Sequence, residues 1–212
     1  MVEVYYYIPT EDVDYVVECG LKLSRWFDRE VVIEGELRKC MAALLNPKDD
    51  IEKYRSESFT CVKLEVDEKH CFVADGYLYR LGMDNPQIME MYSATIVPVD
   101  GYIFGKFRLP ECLVTCTVIA GRISVLNKKQ DSPVLFDNSE ELYINNIIGI
   151  NMEENPGFNE ALLYCFFNKL AEIDAVKKIE DFGKKVALFI EKKAGKPYII
   201  KIPDFNNLTG IL

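Results

Sequence analysis

Residues 2–21 read VEVYYYIPTEDVDYVVECGL, and this stretch decides the class of the fold. The β-branched and aromatic residues at positions 2–8 predict a strand. Thr10 then stands where a helix N-cap belongs, acidic residues follow it, and valines recur at helical spacing. Gly20 falls where glycine commonly ends a helix, so we predict a short helix over residues 11–19. A strand joined directly to a short helix favours a protein of mixed α and β structure.

Short runs of alternating or β-prone residues continue this pattern towards residue 126, and such runs predict strands. The predicted strands cover residues 61–66, 71–74, 92–99, 112–119 and 123–126. Apolar residues at helical spacing over residues 37–45 predict a helix, which Asn46 and Pro47 end. Residues 127–133 are polar and are interpreted as a loop.

The three residues 155–157, Asn-Pro-Gly, mark the clearest boundary in the chain. Beyond them, the apolar residues over positions 158–170 are spaced as on one face of a helix. Those over residues 175–193 predict a second helix, which Gly195 closes. The sequence therefore predicts a C-terminal helix pair.

The order of the predicted elements is typical of an α+β fold rather than of regular βαβ alternation. Residues 140–150 fit either a strand or a helix, and residues 198–202 predict a closing strand. We therefore divide the chain into an α+β domain over residues 1–150 and a helical extension over residues 151–212, packed on the same domain.

The composition excludes several classes of function. The 212 residues carry a formal net charge of −9 at pH 7, which counts against binding to extended duplex DNA because that relies on clustered Lys and Arg. No GxGxxG, GxxxxGK or GxSxG motif occurs, so common nucleotide-binding loops and the α/β-hydrolase site are not expected. No stretch approaches the roughly 20 apolar residues that span a bilayer, and the first residues do not resemble a secretory signal. We expect a cytoplasmic protein that makes no membrane contact.

Seven cysteines are scattered through apolar runs, and an odd number argues against a disulfide framework. We expect them to be mostly buried and reduced. Cys112 and Cys116 share a CxxxC spacing, but on a strand they would lie too far apart to share one metal ion. His70 is the single histidine, so His-based zinc sites and His-dependent triads are not expected. The sequence predicts no metal site.

Four segments, taken in order, resemble the DarT family of ADP-ribosyltransferases. Three of them read YYIPTEDVDYVVECGL at residues 6–21, LLNPKDD at residues 44–50 and CFVADGY at residues 71–77. The fourth is PECLV at residues 110–114, followed by a second apolar stretch that ends RISV at residues 122–125. The resemblance covers roughly the first 130 residues and implies a bent or split, mixed β-sheet of the ADP-ribosyltransferase type.

The resemblance implies NAD as substrate and Glu111 as the catalytic residue. It also implies that single-stranded DNA or a protein accepts the ADP-ribose, and that a macrodomain antitoxin is the partner. The chain departs from the family at three positions: Pro9 replaces a histidine that helps hold NAD, Asp12 an asparagine, and Lys48 an arginine. These departures keep open a second interpretation, a catalytically silent relative that binds a ligand or a protein. A third is an unrelated α+β structural protein.

Each candidate residue has a chemical role and a structural alternative. Breaking the nicotinamide–ribose bond creates a positively charged carbon, which a carboxylate such as Glu111 could stabilise; the alternative is an exposed glutamate at a strand end. Lys48 and Arg108 could contact phosphate, or Lys48 could be a solvated loop residue. Asp75 could hold a ribose hydroxyl or form a turn, and Tyr7 could line a base pocket or pack in the core.

Overall fold

The computed structural model describes residues 1–126 and 137–205. The chain divides into two compact units, unit 1 (Met1–Asn146) and unit 2 (Ile147–Leu212). The polar stretch predicted to be a loop, residues 127–133, lies outside the described residues. No helix within the described ranges is long and apolar enough to cross a membrane.

Unit 1 is built on an eight-stranded sheet in which seven strands follow the order β6-β5-β7-β3-β1-β4-β8, and β2 also pairs with β3. Its strands are β1 (Val2–Pro9), β2 (Arg29–Ile33), β3 (Glu36–Leu44), β4 (Phe59–Val66), β5 (Cys71–Asp75), β6 (Val97–Pro98), β7 (Pro110–Val114) and β8 (Ile123–Val125). Every strand pair among the described residues is antiparallel, so the prediction of a mixed sheet is wrong. The α+β class itself is confirmed.

The predicted helix over residues 37–45 is also wrong, because these residues form β3. Glu34 and Gly35 both have positive φ, 54° and 83°, which makes a tight hairpin turn between β2 and β3. The strand is central and covered on both faces, so Cys40 and Met41 are both buried although they are adjacent. Burial on both faces removes the simple alternation that identifies a half-buried strand.

Within residues 1–126, unit 1 has five short α-helices: α1 (Val13–Cys19), α2 (Leu23–Trp26), α3 (Ile51–Arg55), α4 (Gly76–Gly82) and α5 (Pro86–Thr95). The predicted α1 is confirmed, and Gly20 at its end has φ 78°. The strand predicted over residues 92–99 is corrected to the end of α5 followed by the two-residue β6. Asn85 accepts hydrogen bonds from the N–H groups of Gln87 and Ile88, and this cap starts a helix that includes β-prone residues.

Two apolar clusters cover the two faces of the unit 1 sheet. The larger one includes Val4, Met41 and Val114, and the smaller one includes Cys40, Ala74 and Tyr92 of α5. Four of the seven cysteines are buried, and all seven are free thiols, which confirms the expectation for most of them. The free and buried cysteines are Cys40, Cys61, Cys71 and Cys112.

Helix α6 (Ser139–Glu154) resolves the ambiguity of residues 140–150 in favour of a helix. Unit 2 continues with α7 (Phe158–Glu172) and then a three-stranded antiparallel sheet of order β11-β10-β9. Its strands are β9 (Val176–Asp181), β10 (Val186–Glu191) and β11 (Pro197–Lys201). The predicted helix starting at residue 158 and the predicted closing strand are confirmed.

The second member of the predicted C-terminal helix pair is wrong, because residues 176–191 form a hairpin. The Asp181 carboxylate accepts a hydrogen bond from the Lys184 N–H at the turn, and Lys185 has φ 55° before β10 begins. Ala187 and Phe189 then alternate inwards against α7, which is the period of a strand. The apolar residues over positions 175–193 fit the spacing of a helix and also that of a strand. The turn at residues 182–185 makes the segment a hairpin.

Candidate functional site

Glu111 lies on the central strand β7, next to β3 on one side and β5 on the other. Its Cα partners are Leu44 and Ala74, and side chains of paired residues share one face of a sheet. Ala74 belongs to the apolar cluster beneath α5, so the carboxyl group points into the protein. Glu111 is 6 % exposed, and the alternative of an exposed glutamate at a strand end is therefore wrong.

Both oxygens of the Glu111 carboxyl group are held by neighbouring side chains. The Tyr92 hydroxyl donates to Oε1 at 2.7 Å, and Nη2 of Arg29 lies 3.4 Å from Oε2. The Arg29 guanidinium lies 3.9 Å from the centre of the Tyr79 ring, and the Tyr79 ring meets Tyr92 edge-on at 5.1 Å. We call Glu111, Arg29, Tyr79 and Tyr92 the glutamate cluster. It joins β7, β2, α4 and α5.

A glycine closes the glutamate cluster from the side of α4. A Cβ at Gly76 would lie 2.9 Å from Oε2 of Glu111 and 3.2 Å from the carbonyl oxygen of Leu109. The Gly76 N–H donates to that carbonyl at 2.9 Å, which ties the start of α4 to the segment before β7. Glycine is therefore required here by close approach of the backbone to the carboxyl group.

Burial raises the pKa of Glu111, and this effect outweighs the opposing effects of Arg29 and of the Tyr92 hydrogen bond. Burial and the Glu111 carboxylate together raise the pKa of Tyr92, so its hydroxyl stays protonated and remains a donor. A carboxylate that stabilises a developing cation must be ionised and must face the substrate. Glu111 is instead bound on both oxygens within the fold.

A second group of polar residues surrounds a pocket of about 160 Å³, which we call the charged pocket. Its cationic walls are the side chains of Lys48, Arg80 and Arg108, and Tyr77 adds an aromatic ring that is 41 % exposed. The remaining lining residues are Asp49, Ile51, Leu109, Asn138 and Glu140. Glu111 does not line this pocket.

Local hydrogen bonds position the cations of the charged pocket. Lys48 lies in a 3-10 turn over Pro47–Asp49, where the Asn46 side chain accepts a hydrogen bond from the Lys48 N–H at 2.9 Å. The Asp75 carboxylate accepts from the Tyr77 N–H at 3.0 Å and caps α4. Positions 77 and 80 then lie one helical turn apart, which brings Tyr77 and Arg80 to the same face of α4.

The start of α6 makes three contacts with the charged pocket. Nζ of Lys48 lies 2.8 Å from the Asp137 carboxylate, and Nε of Arg108 donates to Glu140 at 2.8 Å. Ser139 donates to the Asp49 carboxylate from both its N–H and its hydroxyl, each at 2.7 Å. Burial raises the pKa of Asp49, and the two Ser139 hydrogen bonds oppose that rise.

The structure brings some of the predicted site residues together and separates others. Lys48 and Arg108 line the charged pocket. Asp75 caps α4, the helix that carries Tyr77, the aromatic residue of this pocket. Tyr7 is buried, and its hydroxyl donates to the Pro47 carbonyl at 2.6 Å, so it supports the turn that holds Lys48. Asp12 lies elsewhere, at the start of α1, and pairs with Arg25 at 3.3 Å.

The sequence did not identify Arg29, Tyr79 and Tyr92 of the glutamate cluster, or several lining residues of the charged pocket, among them Tyr77 and Arg80. Nothing in the spacing links Arg29 to Glu111, which is 82 positions away, and Tyr92 was assigned to a strand. Tyr79 contacts the cluster only because α4 folds over it. For Tyr77 and Arg80 a signal existed, since a helix start after Asp-Gly places residues 77 and 80 on one face.

The charged pocket fits a phosphoryl group better than a whole dinucleotide. A volume of about 160 Å³ is small beside the roughly 300–1,000 Å³ of typical small-molecule sites, so the pocket suits one part of a nucleotide. Lys and Arg are the side chains that bind phosphate oxygens best. Within residues 1–126 and 137–205, no group of three or more His, Cys, Asp or Glu side chains could hold a metal ion.

The chain was compared with protein-family models, curated proteins and solved structures. No protein-family model, no curated protein and no solved structure matches it.

Proposed function

We propose that unit 1 is an ADP-ribosyltransferase-like module that binds a phosphorylated nucleotide of the NAD class without turning it over. The phosphoryl groups lie in the charged pocket, and Glu111 is a structural carboxyl group. This proposal corresponds to the second interpretation of the sequence, a catalytically silent relative, and it names the class of ligand that the protein binds.

The observation that carries the proposal is the convergence of Lys48, Arg80 and Arg108 on one small pocket. These residues come from the turn after β3, from α4 and from the segment before β7, so the fold assembles them from three separate parts of the chain. Two of them, Lys48 and Arg108, are positions for which phosphate contact was one of the interpretations that the sequence left open. Binding of phosphate by clustered cations is strong because each hydrogen bond is charge-assisted.

The aromatic wall gives the pocket a preference for a nucleotide over a bare anion. Tyr77 is partly exposed, and the Arg108 guanidinium lies 5.3 Å from the centre of its ring. A base that stacks on an aromatic ring outside the phosphate pocket gains roughly 1–3 kcal/mol. Phosphate in the pocket and a base over Tyr77 together describe a ligand such as ADP-ribose or NAD.

The absence of turnover follows from the glutamate cluster. Tyr92 and Arg29 each hold one oxygen of Glu111, and Gly76 closes the side of the carboxyl group nearest α4. A ribose that used Glu111 as its counter-charge would have to displace at least one of these partners. We therefore expect no cleavage of the nicotinamide–ribose bond.

Titration calorimetry with ADP-ribose, NAD and inorganic pyrophosphate tests the binding proposal. Arg80→Ala removes one cation from the pocket, and Arg80 makes no salt bridge within the part of the chain that the structure describes. Losing one charge-assisted contact should weaken ADP-ribose binding roughly tenfold to a hundredfold. The matched control is Arg38→Ala at the far end of β3, which should bind as the unmodified protein does. Equal affinity for Arg80→Ala and Arg38→Ala contradicts the proposed site.

An active transferase remains the second candidate, because Arg108 precedes Glu111 by three residues on the same segment. A ligand held by Arg108 would be close to the start of β7. Incubation with labelled NAD, single-stranded oligonucleotides and protein acceptors separates the two candidates. We expect no label transfer. Transfer that Glu111→Gln lowers about 10²–10³-fold would establish the active form instead.

A further inference from the structure

We propose that Asp137 and Glu140 act as internal anions that occupy the charged pocket and compete with its phosphorylated ligand. This inference rests on the proposed function, since it assigns a regulation to the same site. The start of α6 is then a latch: docked, it neutralises the pocket, and a ligand must displace it.

The two carboxylates lie on the two cations that the sequence singled out for phosphate. Asp137 lies 2.8 Å from Nζ of Lys48, and Glu140 accepts from both Nε and Nη2 of Arg108. One oxygen of Glu140 therefore occupies the edge of the Arg108 guanidinium that could bind a phosphate oxygen. With Asp137 on Lys48, the latch fills two of the cationic positions that a phosphoryl group would use.

The segment that carries these carboxylates is anchored by its own hydrogen bonds. Ser139 donates twice to the Asp49 carboxylate, and Asn138 accepts from the Glu141 N–H at 2.9 Å. The Glu141 carboxylate in turn accepts from the Asp137 N–H at 3.0 Å. Reciprocal capping of this kind holds the first turn of α6 in one conformation, so the anions are presented at fixed positions.

The charges show what release of the latch would change. With the latch docked, the cations of Lys48, Arg80 and Arg108 face three carboxylates, those of Asp49, Asp137 and Glu140. Without the charges of Asp137 and Glu140, the pocket loses two of the carboxylates that the described residues place beside these three cations. Cations that are less neutralised attract phosphorylated ligands more strongly.

The two ion pairs of the latch, Asp137 with Lys48 and Glu140 with Arg108, are weak enough to be displaced. The Asp137 side chain is 75 % exposed, and the side chains of Arg108 and Glu140 are each 47 % exposed. Exposed ion pairs are screened by water and salt, so each contributes little on its own. A ligand that offers several phosphate oxygens at once can therefore replace both carboxylates.

The test compares pyrophosphate and ADP-ribose affinities of the full chain with those of the double variant Asp137→Asn/Glu140→Gln. Neutralising both anions should raise the affinity about fivefold or more, as expected for the removal of a coupled competitor. The matched control is Glu153→Gln/Glu154→Gln, which makes the same change in net charge at the other end of α6. The control should leave the affinity unchanged.

A second readout follows the latch itself by hydrogen exchange. The Ser139 N–H is held by Asp49 in the docked state, so saturating pyrophosphate should speed its exchange. An affinity for the double variant that equals that of the control pair, or a Ser139 amide that pyrophosphate leaves protected, overturns the latch. Arg80→Ala tests the site separately from the latch. If it leaves pyrophosphate and ADP-ribose affinity unchanged in the unmodified protein and in the double variant, the proposed site is wrong.

Discussion

Removal of the Glu111 side chain should destabilise unit 1 strongly, because the carboxyl group ties four elements together. Glu111→Ala leaves the Tyr92 hydroxyl, whose residue is fully buried, without its partner and leaves Arg29 without its counter-charge. Removing one partner of a buried pair costs about 3–5 kcal/mol. The Arg29 side chain is 20 % exposed and can regain some water, so we expect the lower end, about 3 kcal/mol.

Glu111→Gln should behave differently, because it keeps the shape and an acceptor for Tyr92. Burial raises the pKa of Glu111, so the carboxyl group binds its proton more tightly in the folded protein than in the unfolded chain. For a raised pKa, the stabilisation is complete below the pKa of the unfolded chain and is lost as pH rises through the pKa of the folded protein. The stability of the unmodified protein relative to Glu111→Gln should therefore fall as pH rises above the pKa of an unfolded glutamate, about 4.3.

Urea unfolding followed by tryptophan fluorescence measures both effects. Trp26 is the single tryptophan and packs against the core of unit 1, so its signal reports on this unit. Glu65→Ala is the matched control, a glutamate on β4 whose nearest cation, Lys63, is 3.9 Å away. A Glu111→Ala protein within about 1 kcal/mol of the control would refute the structural role, since a buried pair costs more than that.

Three further predictions concern Tyr92, Gly76 and the exposed cysteines. Tyr92→Phe removes the donor to Glu111 and should lower the free energy of unfolding by about 1–3 kcal/mol, measured by urea titration. Gly76→Ala places a Cβ 2.9 Å from the Glu111 carboxyl group and should destabilise the fold by about 1–3 kcal/mol; a melting temperature equal to that of the unmodified protein would contradict the close approach. Thiol titration of the native protein should show fast reaction at the exposed Cys19 and Cys165, and fast reaction of most thiols would show that the buried ones are accessible.

The elements that the sequence predicted well are those whose local signals agree with their surroundings. The strand at residues 59–66 alternates because one of its faces is more deeply buried, and α1 begins and ends at residues suited to those positions. Helix α7 has apolar residues at helical spacing and a Gly-containing boundary before it. In each case the spacing of the apolar residues fits only one type of secondary structure.

The failures have a common physical origin in tertiary contacts that a local pattern does not contain. Strand β3 is buried on both faces, so its consecutive apolar residues imitated a helix. Strands β9 and β10 imitate one helix because their apolar residues also fit helical spacing, although Gly183 in the turn between them is a local signal against a continuous helix. Tyr92 and Thr95 are β-prone, yet the Asn85 cap several positions earlier begins the helix that includes them.

The candidate site was predicted in part, for a similar reason. The resemblance selected Glu111, Lys48 and Asp75, all of which lie at or beside the two groups described above. It could not show that Glu111 is buried, because Arg29 and Tyr92 approach it from 82 and 19 positions away. Contacts across such distances in the chain depend on the whole fold and leave no local signal.

The most direct test of the account is a calorimetric titration of ADP-ribose into the unmodified protein and into Arg80→Ala, with NAD turnover followed in the same samples. We predict binding by the unmodified protein, affinity that is lower by roughly tenfold or more for Arg80→Ala, and no nicotinamide release from NAD in either. No detectable binding by the unmodified protein, or release of nicotinamide that Glu111→Gln abolishes, would contradict it.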